Sequence, residues 1–428
     1  MKLLLPTGLA LLLMLPLHQA DGEQWPGWRG PRGDGSSQET APPTDWDGAT
    51  GKNILWTKDL PGTGHGSPIV WNDKLFLVTC IEDQHDRQLL CISTATGETL
   101  WKSTVFNAPL ETKHSLNSFA STTPATDGEQ VVAVFLEVDG SKAPAKNVGK
   151  ARNLTPGKIV VAAYDLAGKQ RWLARPGVFS SVHGFCSNPV LFGDLVIING
   201  DHDGDSFLVA LDRNTGKTVW KVPRRHQTRS YATPLIREVD GADQLVLPGS
   251  MAVTSFNPRD GSTLWTVEGP TEQFVASPVY DGKHFFVTAG YPTHHVVAIR
   301  PDGREDVSDS HVTWHSTDVR SYVPSPVLAG QFLIVADDRG TANCYDTATG
   351  ERFWNVRLGR KFSASPVMAA GKVFLLAEDG TMHIVQPGKE FQQIAEPQLG
   401  ERAFASPAIA DGRIYIRGEQ RLFAIGAK

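Results

Sequence analysis

Eight times along the chain a small or short polar residue stands directly before a proline that opens an apolar alternation. The pairs are Ser67-Pro68, Thr123-Pro124, Asn188-Pro189, Thr233-Pro234, Ser277-Pro278, Ser325-Pro326, Ser365-Pro366 and Ser406-Pro407. Successive prolines lie 56, 65, 45, 44, 48, 40 and 41 residues apart. A period in the forties with several short strands per unit is the range of β-propeller blades. Within each unit the first strand meets a polar turn such as Asn72-Asp73, Asp127-Gly128, Asp281-Gly282 or Asp411-Gly412, which suits a hairpin. An apolar strand such as KLFLVT, QFLIVA or KVFLLA follows, then a third strand, a second turn and a tryptophan. The 41 Gly and 28 Pro punctuate the chain into short segments, which favours an all-β fold over long helices.

The second turn and its tryptophan carry the most specific spacing. Ala210-Leu211-Asp212-Arg213-Asn214-Thr215-Gly216 precedes Trp220, and Cys344-Tyr345-Asp346-Thr347-Ala348-Thr349-Gly350 precedes Trp354 at the same distance. Cys91 to Gly97 with Trp101, and Ser255 to Gly261 with Trp265, repeat it; Ala163 to Gly168 with Trp172 is one residue shorter. The small first residue lets sheets approach to about 10 Å. The Asp can accept bonds from the turn backbone, and the Gly supplies a positive φ. The tryptophan is a plate of roughly 150–250 Å² able to fill the gap between wedge-shaped sheets. Trp56, Trp101, Trp172, Trp220, Trp265, Trp314 and Trp354 are assigned this structural role. Cys91 and Cys344 occupy the position of Ala163, Ala210 and Ala298, so they read as small buried hydrophobes.

The pattern A-x-D-x-x-x-G-x-x-x-W resembles the tryptophan docking repeat of the quinoprotein (PQQ-type) β-propeller superfamily, over nearly the whole chain. In size and repeat architecture it is similar to the cofactor-free, BamB-like outer-membrane assembly propellers. Closure is also legible. From Ser406 the sequence supplies three strands before Lys428, whereas Asn53–Thr57 carries Trp56 with no three strands ahead of it. Joining them removes an open sheet edge. The expected fold is therefore an all-β, eight-bladed β-propeller of four-stranded antiparallel blades, closed by an N-terminal strand joining the C-terminal blade. The expected divisions are a signal peptide over 1–20, an N-terminal arm over 21–51 and the propeller over 52–428. Trp25 to Pro31 is expected to lie as an extended arm on the outside of the ring.

Lys2 and the apolar run Leu3–Leu17 match a signal peptide, with Ala20 as the last residue before cleavage. The run is short of the ~20 apolar residues that span a bilayer, so no membrane span is expected. Export in soluble form is the expectation, to the periplasm if the host has one. With 41 basic and 46 acidic residues the net charge is −5, which gives no support to nucleic-acid binding. Four cysteines (Cys80, Cys91, Cys186, Cys344) are too few for a disulfide scaffold, although an oxidising compartment would permit a Cys80–Cys91 bridge across a hairpin.

Loops on a rigid scaffold are the default place for function, and the segments entering each first strand should share one mouth with the second-to-third-strand turns. They carry His65, then Phe119 with Asn117 and His114, His183 with Phe185, Arg229 with Tyr231, Phe274, Arg320 with Tyr322, Arg360 with Phe362 and Arg402 with Phe404. Two readings stand. The series is a funnel of guanidinium groups and rings for a protein partner or a small anionic or planar ligand, or the aromatics simply pack beneath the linkers while the arginines pair with acids such as Asp201, Asp203, Asp205, Asp337, Asp338, Glu378 and Asp379. Asp201-His202-Asp203-Gly204-Asp205 looks like the start of a calcium loop, but the acid needed at position twelve, Asp212, already serves the repeat turn. No metal site is assigned. The polar stretch from Val138 to Gly157 is read as a mobile cap or interaction loop, and a shorter insertion spans Asp306 to Ser310.

The resemblance implies two functions of different class. One is a non-catalytic recognition or protein-interaction scaffold without cofactor. The alternative is a PQQ- and Ca-dependent alcohol or sugar dehydrogenase, but no adjacent Cys-Cys pair and no C-x-x-C-H haem site is present, and no segment matches the catalytic and calcium-binding residues. No catalytic residue is assigned.

Overall fold

A computed structural model describes residues 22–427. The signal-peptide segment expected over 1–20 lies outside those residues. The strands form eight four-stranded antiparallel blades, labelled A to D from the central channel outward. Blade 1 runs Ile69–Trp71, Lys74–Ile81, Asp86–Ser93 and Thr99–Asn107; blades 2 to 7 follow in chain order. Blade 8 takes A, B and C from Ala408–Ala410, Arg413–Arg417 and Arg421–Ile425, and its D strand is Ile54–Asp59, with Trp56 opposite Ala424. Among the described residues the only helix is a single 3-10 turn, Glu82–Gln84, and no helix is long and apolar enough to cross a membrane.

The B and C strands are apolar on both faces because each blade is packed between two others, and residues such as Phe76, Val132, Ile197 and Phe374 are fully buried. The tryptophans close the outer part of seven of the eight wedges; blade 7, whose D strand is Gln392–Ala395, carries none. Trp101, Trp172, Trp220, Trp314 and Trp354 donate their indole N–H to Leu166 O, Arg213 O, Pro258 O, Thr347 O and Gly388 O, all in the C–D connection of the following blade. Trp56 of blade 8 reaches Thr94 O of blade 1 in the same way. Gly216 shows what the turn demands: its φ is +69°, and a Cβ there would overlap the Trp172 indole. Gly350 stands likewise beneath Trp314. Asp212 and Asp346 accept two turn N–H groups each. Trp265 differs, bonding Gln244 of its own blade, because the blade 5 connection detours to add Glu305–Asp306 as a parallel fifth strand on blade 4.

The residue before each proline has a role its small size did not disclose. Ser67 N–H donates to Thr123 Oγ1, Thr123 N–H to Asn188 Oδ1, and Asn188 Nδ2 to Thr233 Oγ1. Thr233, Ser277, Ser325 and Ser365 pass their N–H groups to Ser277, Ser325, Ser365 and Ser406, and Ser406 returns to Ser67. Eight bonds of 2.6 to 3.3 Å thus encircle the channel.

Two expectations are corrected. The arm does not lie outside the ring. Trp25 exchanges two backbone bonds with Val70 of blade 1, Pro26 O accepts from Thr126 of blade 2, and Trp28 Nε1 donates to Ser277 Oγ of blade 5. Arg29 donates to Ser325 O and Pro326 O of blade 6, and Ser37 N–H to Met368 O of blade 7. These partners are A strands or the residues entering them, so the arm crosses the channel at the A–B turn end. Trp25 and Arg29 are buried; an arm so apolar at Trp25, Pro26 and Trp28 gains more by covering the channel than by lying in water. The second correction is the Cys80–Cys91 bridge. Cys80 faces Arg87 and Cys91 faces Phe76, four ladder positions apart, or roughly 13 Å along the strands. All four cysteines are free.

Burial holds the Cys80 thiol up at about 11 and those of Cys91, Cys186 and Cys344 at about 12. Thiol titration of native protein at pH 8 should therefore show none of the four reacting, and all four once unfolded in denaturant. Trp220→Ala should cost about 3–5 kcal/mol of unfolding free energy, as large core truncations do, read from a urea titration.

Candidate functional site: the mouth opposite the arm

The B–C turns and the linkers entering the A strands gather at the end opposite the arm. Here the sequence-singled residues divide into two groups. Arg229 is buried and holds Asp203 with Nη1 contacts of 2.9 and 2.8 Å. Beside it Arg224 holds buried Asp201 at 2.9 Å, and burial raises the Asp201 carboxyl against the opposing pull of Arg224. Tyr231 is buried with its hydroxyl 2.5 Å from Ser181 Oγ, while Phe274 and Phe362 are also buried. Tyr322 bonds Gln273 Oε1 at 3.2 Å. These groups belong to the scaffold beneath the linkers. Arg320, Arg360 and Arg402, by contrast, are exposed.

His65 and His183 are half-buried. His65 stacks on Phe404 at 4.6 Å between centroids, and the Arg402 guanidinium lies 4.8 Å from the Phe404 centroid. Burial, and then the charges of Arg417, Lys113 and Arg402, lower His65 to about 4. Burial, followed by Arg229, His114 and Arg152, does the same to His183. On the blade 6 turn, Asp338 accepts from Val323 N–H, yet burial raises its carboxyl to about 7, with Asp337 and Glu378 adding to the rise.

The Val138–Gly157 stretch folds into its own hairpin, Ala143–Pro144 against Asn153–Leu154. It reaches over blades 3 and 4, where Asn147 donates to Asp203 Oδ1 and Gln227 O and accepts from Arg229 Nη2. One rim position escaped the reading of local patterns. Arg417 stands in the ladder where blades 1, 6 and 7 carry Val78, Ala336 and Leu376 and blades 3 and 5 carry Asn199 and Thr288, so a charge in a column of apolar and neutral polar residues was the available signal.

The loops also expose apolar side chains. Met251, Tyr291 and Val323 are 38%, 53% and 36% exposed on blades 4, 5 and 6. Their loops are linked: Met251 N–H donates to Glu272 O, the N–H groups of Glu272 and Gln273 to Tyr291 O, and the hydroxyl of Tyr322, next to Val323, to Gln273 Oε1. Arg320 lies three residues before Val323 in the same linker.

A calcium ion of the kind the dehydrogenase reading requires does not fit these residues. Asp201 and Asp203, the mouth carboxylates best placed by sequence for a cation, are engaged by Arg224 and Arg229. Among the described residues no three His, Cys, Asp or Glu side chains converge to hold a metal.

Comparison with known proteins places this geometry. The family described as outer membrane protein assembly factor BamB matches residues 39–172, 154–298 and 292–428. A curated relative, the outer membrane protein assembly factor BamB of Burkholderia pseudomallei (strain K96243), is 23% identical over 272 residues, covering 61% of this chain and 67% of its own. Among solved structures, BamB from Moraxella catarrhalis aligns with a TM-score of 0.60 at 15% identity, over 88% of this chain and 97% of that one. A europium-containing methanol dehydrogenase aligns at 0.59 with 10% identity, over 94% and 98%. The computationally designed Ika8 protein aligns at 0.58 with 12% identity, over 87% and 98%. At these identities the structural likenesses speak to the fold alone.

Two outcomes follow. Adding PQQ with Ca²⁺ should leave the absorption spectrum and the thermal midpoint unchanged; a bound-cofactor band would contradict the site as described. His65 and His183 sit near 4 when folded, against about 6.5 in an unfolded chain. The unfolded state therefore binds more protons between those values. The stability these two histidines contribute should be fully present above pH 6.5 and decline as pH falls towards 4, outweighing the opposing Asp338, whose raised carboxyl favours the folded state as pH falls below about 7. The urea midpoint should follow that course, and a His65→Gln/His183→Gln variant should flatten it.

Proposed function

The chain belongs to the outer membrane protein assembly factor BamB family, and we propose that it is an exported, non-catalytic scaffold that docks a protein partner through the mouth loops. The observation that carries this reading is the cluster of exposed Met251, Tyr291 and Val323 beside exposed Arg320. Tyr, Met and Arg are the residue types enriched at the centres of protein interfaces, where a few anchors supply most of the binding energy. The Met251 and Tyr291 loops are tied by backbone bonds and the Val323 loop joins them through the Tyr322 hydroxyl on Gln273, so little ordering entropy is lost on docking. The arm closes the other end of the channel, which leaves this mouth as the face free to engage. The family name directs the partner search to outer-membrane protein assembly, and periplasmic export accords with it.

A photo-crosslinking residue placed at Tyr291 in the full chain, expressed in a Gram-negative host, should capture a component of that assembly machinery. The same probe at Thr215, an exposed turn residue at the opposite end, should not. Tyr291→Ala should weaken the captured complex by about tenfold or more, the loss typical of an interface anchor, with an unchanged urea midpoint. Capture only from Thr215 would sink the reading.

A further inference from the structure

The mouth has a second region, across the channel from Tyr291, where three cations collect, one of them buried with no carboxylate partner among the described residues. Arg417 is 1% exposed, donates Nη1 to Gly66 O and Val78 O, and leaves Nε without a partner. No carboxylate among the described residues pairs with it, and burial lowers its guanidinium to about 9. An arginine buried this way keeps an unmet demand for an anion. Its guanidinium packs against the backbone at Gly64, so a Cβ there would strike it. The next residue, His65, is stacked on Phe404.

Two more cations flank this stack. Arg402 is half exposed, lies over Phe404 and makes long ion pairs of 3.9 Å with Glu378 and Glu419. Lys113 holds its Nζ 4.9 Å from the Phe119 centroid. Glu111, the acid nearest to Lys113 in sequence, is consumed by buried Arg87 at 2.5 Å. The His65 backbone N–H donates to Ala120 O and Ser118 Oγ, on either side of Phe119, so the ring that carries Lys113 stands beside the His65–Phe404 stack that carries Arg402. His65 itself, neutral at physiological pH, offers a ring wall and not a fourth charge.

We propose that the rim between blades 8, 1 and 2 is a carboxylate-binding site, in which Arg417, Arg402 and Lys113 take an Asp or Glu side chain from an acidic loop of the docked protein. The proposal rests on the docking reading above and adds the chemistry of the partner's second contact. An acidic loop is favoured over a free small anion because the cations come from blade 8 (Arg402 and Arg417) and from the linker entering blade 2 (Lys113), with the stacked rings of His65 and Phe404 between them. That geometry suits several carboxylates along one chain, and charge complementarity at a rim chiefly sets encounter rate and register.

The test uses the full chain and a fluorescein-labelled peptide of alternating Glu and Gly, followed by anisotropy, with a Lys-Gly peptide as control. The Glu peptide should bind and the Lys peptide should not. Lys113→Gln/Arg402→Gln should weaken Glu-peptide binding by about tenfold or more, since charge-assisted bonds are lost. Lys217→Gln, at the opposite end, should leave it within about twofold. Arg417→Gln should abolish it, but that side chain also ties two blades together, so the double variant at Lys113 and Arg402 is the deciding measurement. Unchanged binding in the folded double variant overturns the site. Free glutamate competing as well as the peptide at equal carboxylate concentration overturns the acidic loop in favour of a small anion. Peptide binding that survives while cross-linking at Tyr291 fails removes the docking reading and upholds the anion site.

Discussion

The circle of hydrogen bonds through Ser67, Thr123, Asn188, Thr233, Ser277, Ser325, Ser365 and Ser406 is the constraint on which the rest of the molecule depends. A proline must open each inner strand, and the amide before it faces the neighbouring blade at the narrowest part of the wedge. Unmet there, each amide would cost about 1–3 kcal/mol. At seven of the eight positions a short hydroxyl or amide side chain on the next blade meets it, and at Asn188 the side-chain Nδ2 makes the crossing bond instead. Such a side chain is small enough for the channel and, at Ser277, also serves the arm through Trp28. Because each bond crosses to the next blade, the ring forms only when all eight blades are in place. Six outer tryptophan bonds work in the same direction, blade to following blade, so at those six the wedge is fixed at both its inner and outer edges.

That double fixing explains why the mouth divides as it does. Linkers anchored at the ring start from a rigid base, and the aromatic residues beside the anchor (Tyr231, Phe274, Phe362) are drawn beneath them. Arg229 and Arg224 follow because Asp201 and Asp203 are buried on the adjacent turn and require cations. Only side chains further from the ring, such as Tyr291, Arg320, Arg360 and Arg402, remain available to a partner.

Much of this was legible in the chain and some was not, for identifiable reasons. Fold, blade count and terminal closure are written in local periodicity: the Asp-to-Gly turn, the spacing to Trp220 or Trp354, and the missing strand that Trp56 supplies. The arm was misplaced because its partners, Val70, Ser277 and Pro326, are brought together only by ring closure, which no local pattern encodes. Arg229 looked like Arg320 in sequence, since each stands two residues before an aromatic, and only burial separates them. Arg417 went unread because its strand looked like ordinary alternation until its column in the other blades was compared.

The arm and the ring together bear on which end of the molecule can evolve a function. At the A–B end, the arm ties itself by backbone and side-chain bonds to blades 1, 2, 5, 6 and 7, and Arg237 of blade 4 reaches Asp34. A change in any one of those turns must accommodate a segment already committed to several others. At the mouth, each loop is anchored at its base and faces solvent beyond it, so substitutions there alter recognition with little consequence for closure. The hairpin over blades 3 and 4 illustrates this freedom. An insertion of about twenty residues is accepted between two strands of blade 2 at little entropic expense. It is held at its far end through Asn147, Asp203 and Arg229, and the eight-fold frame beneath keeps its register.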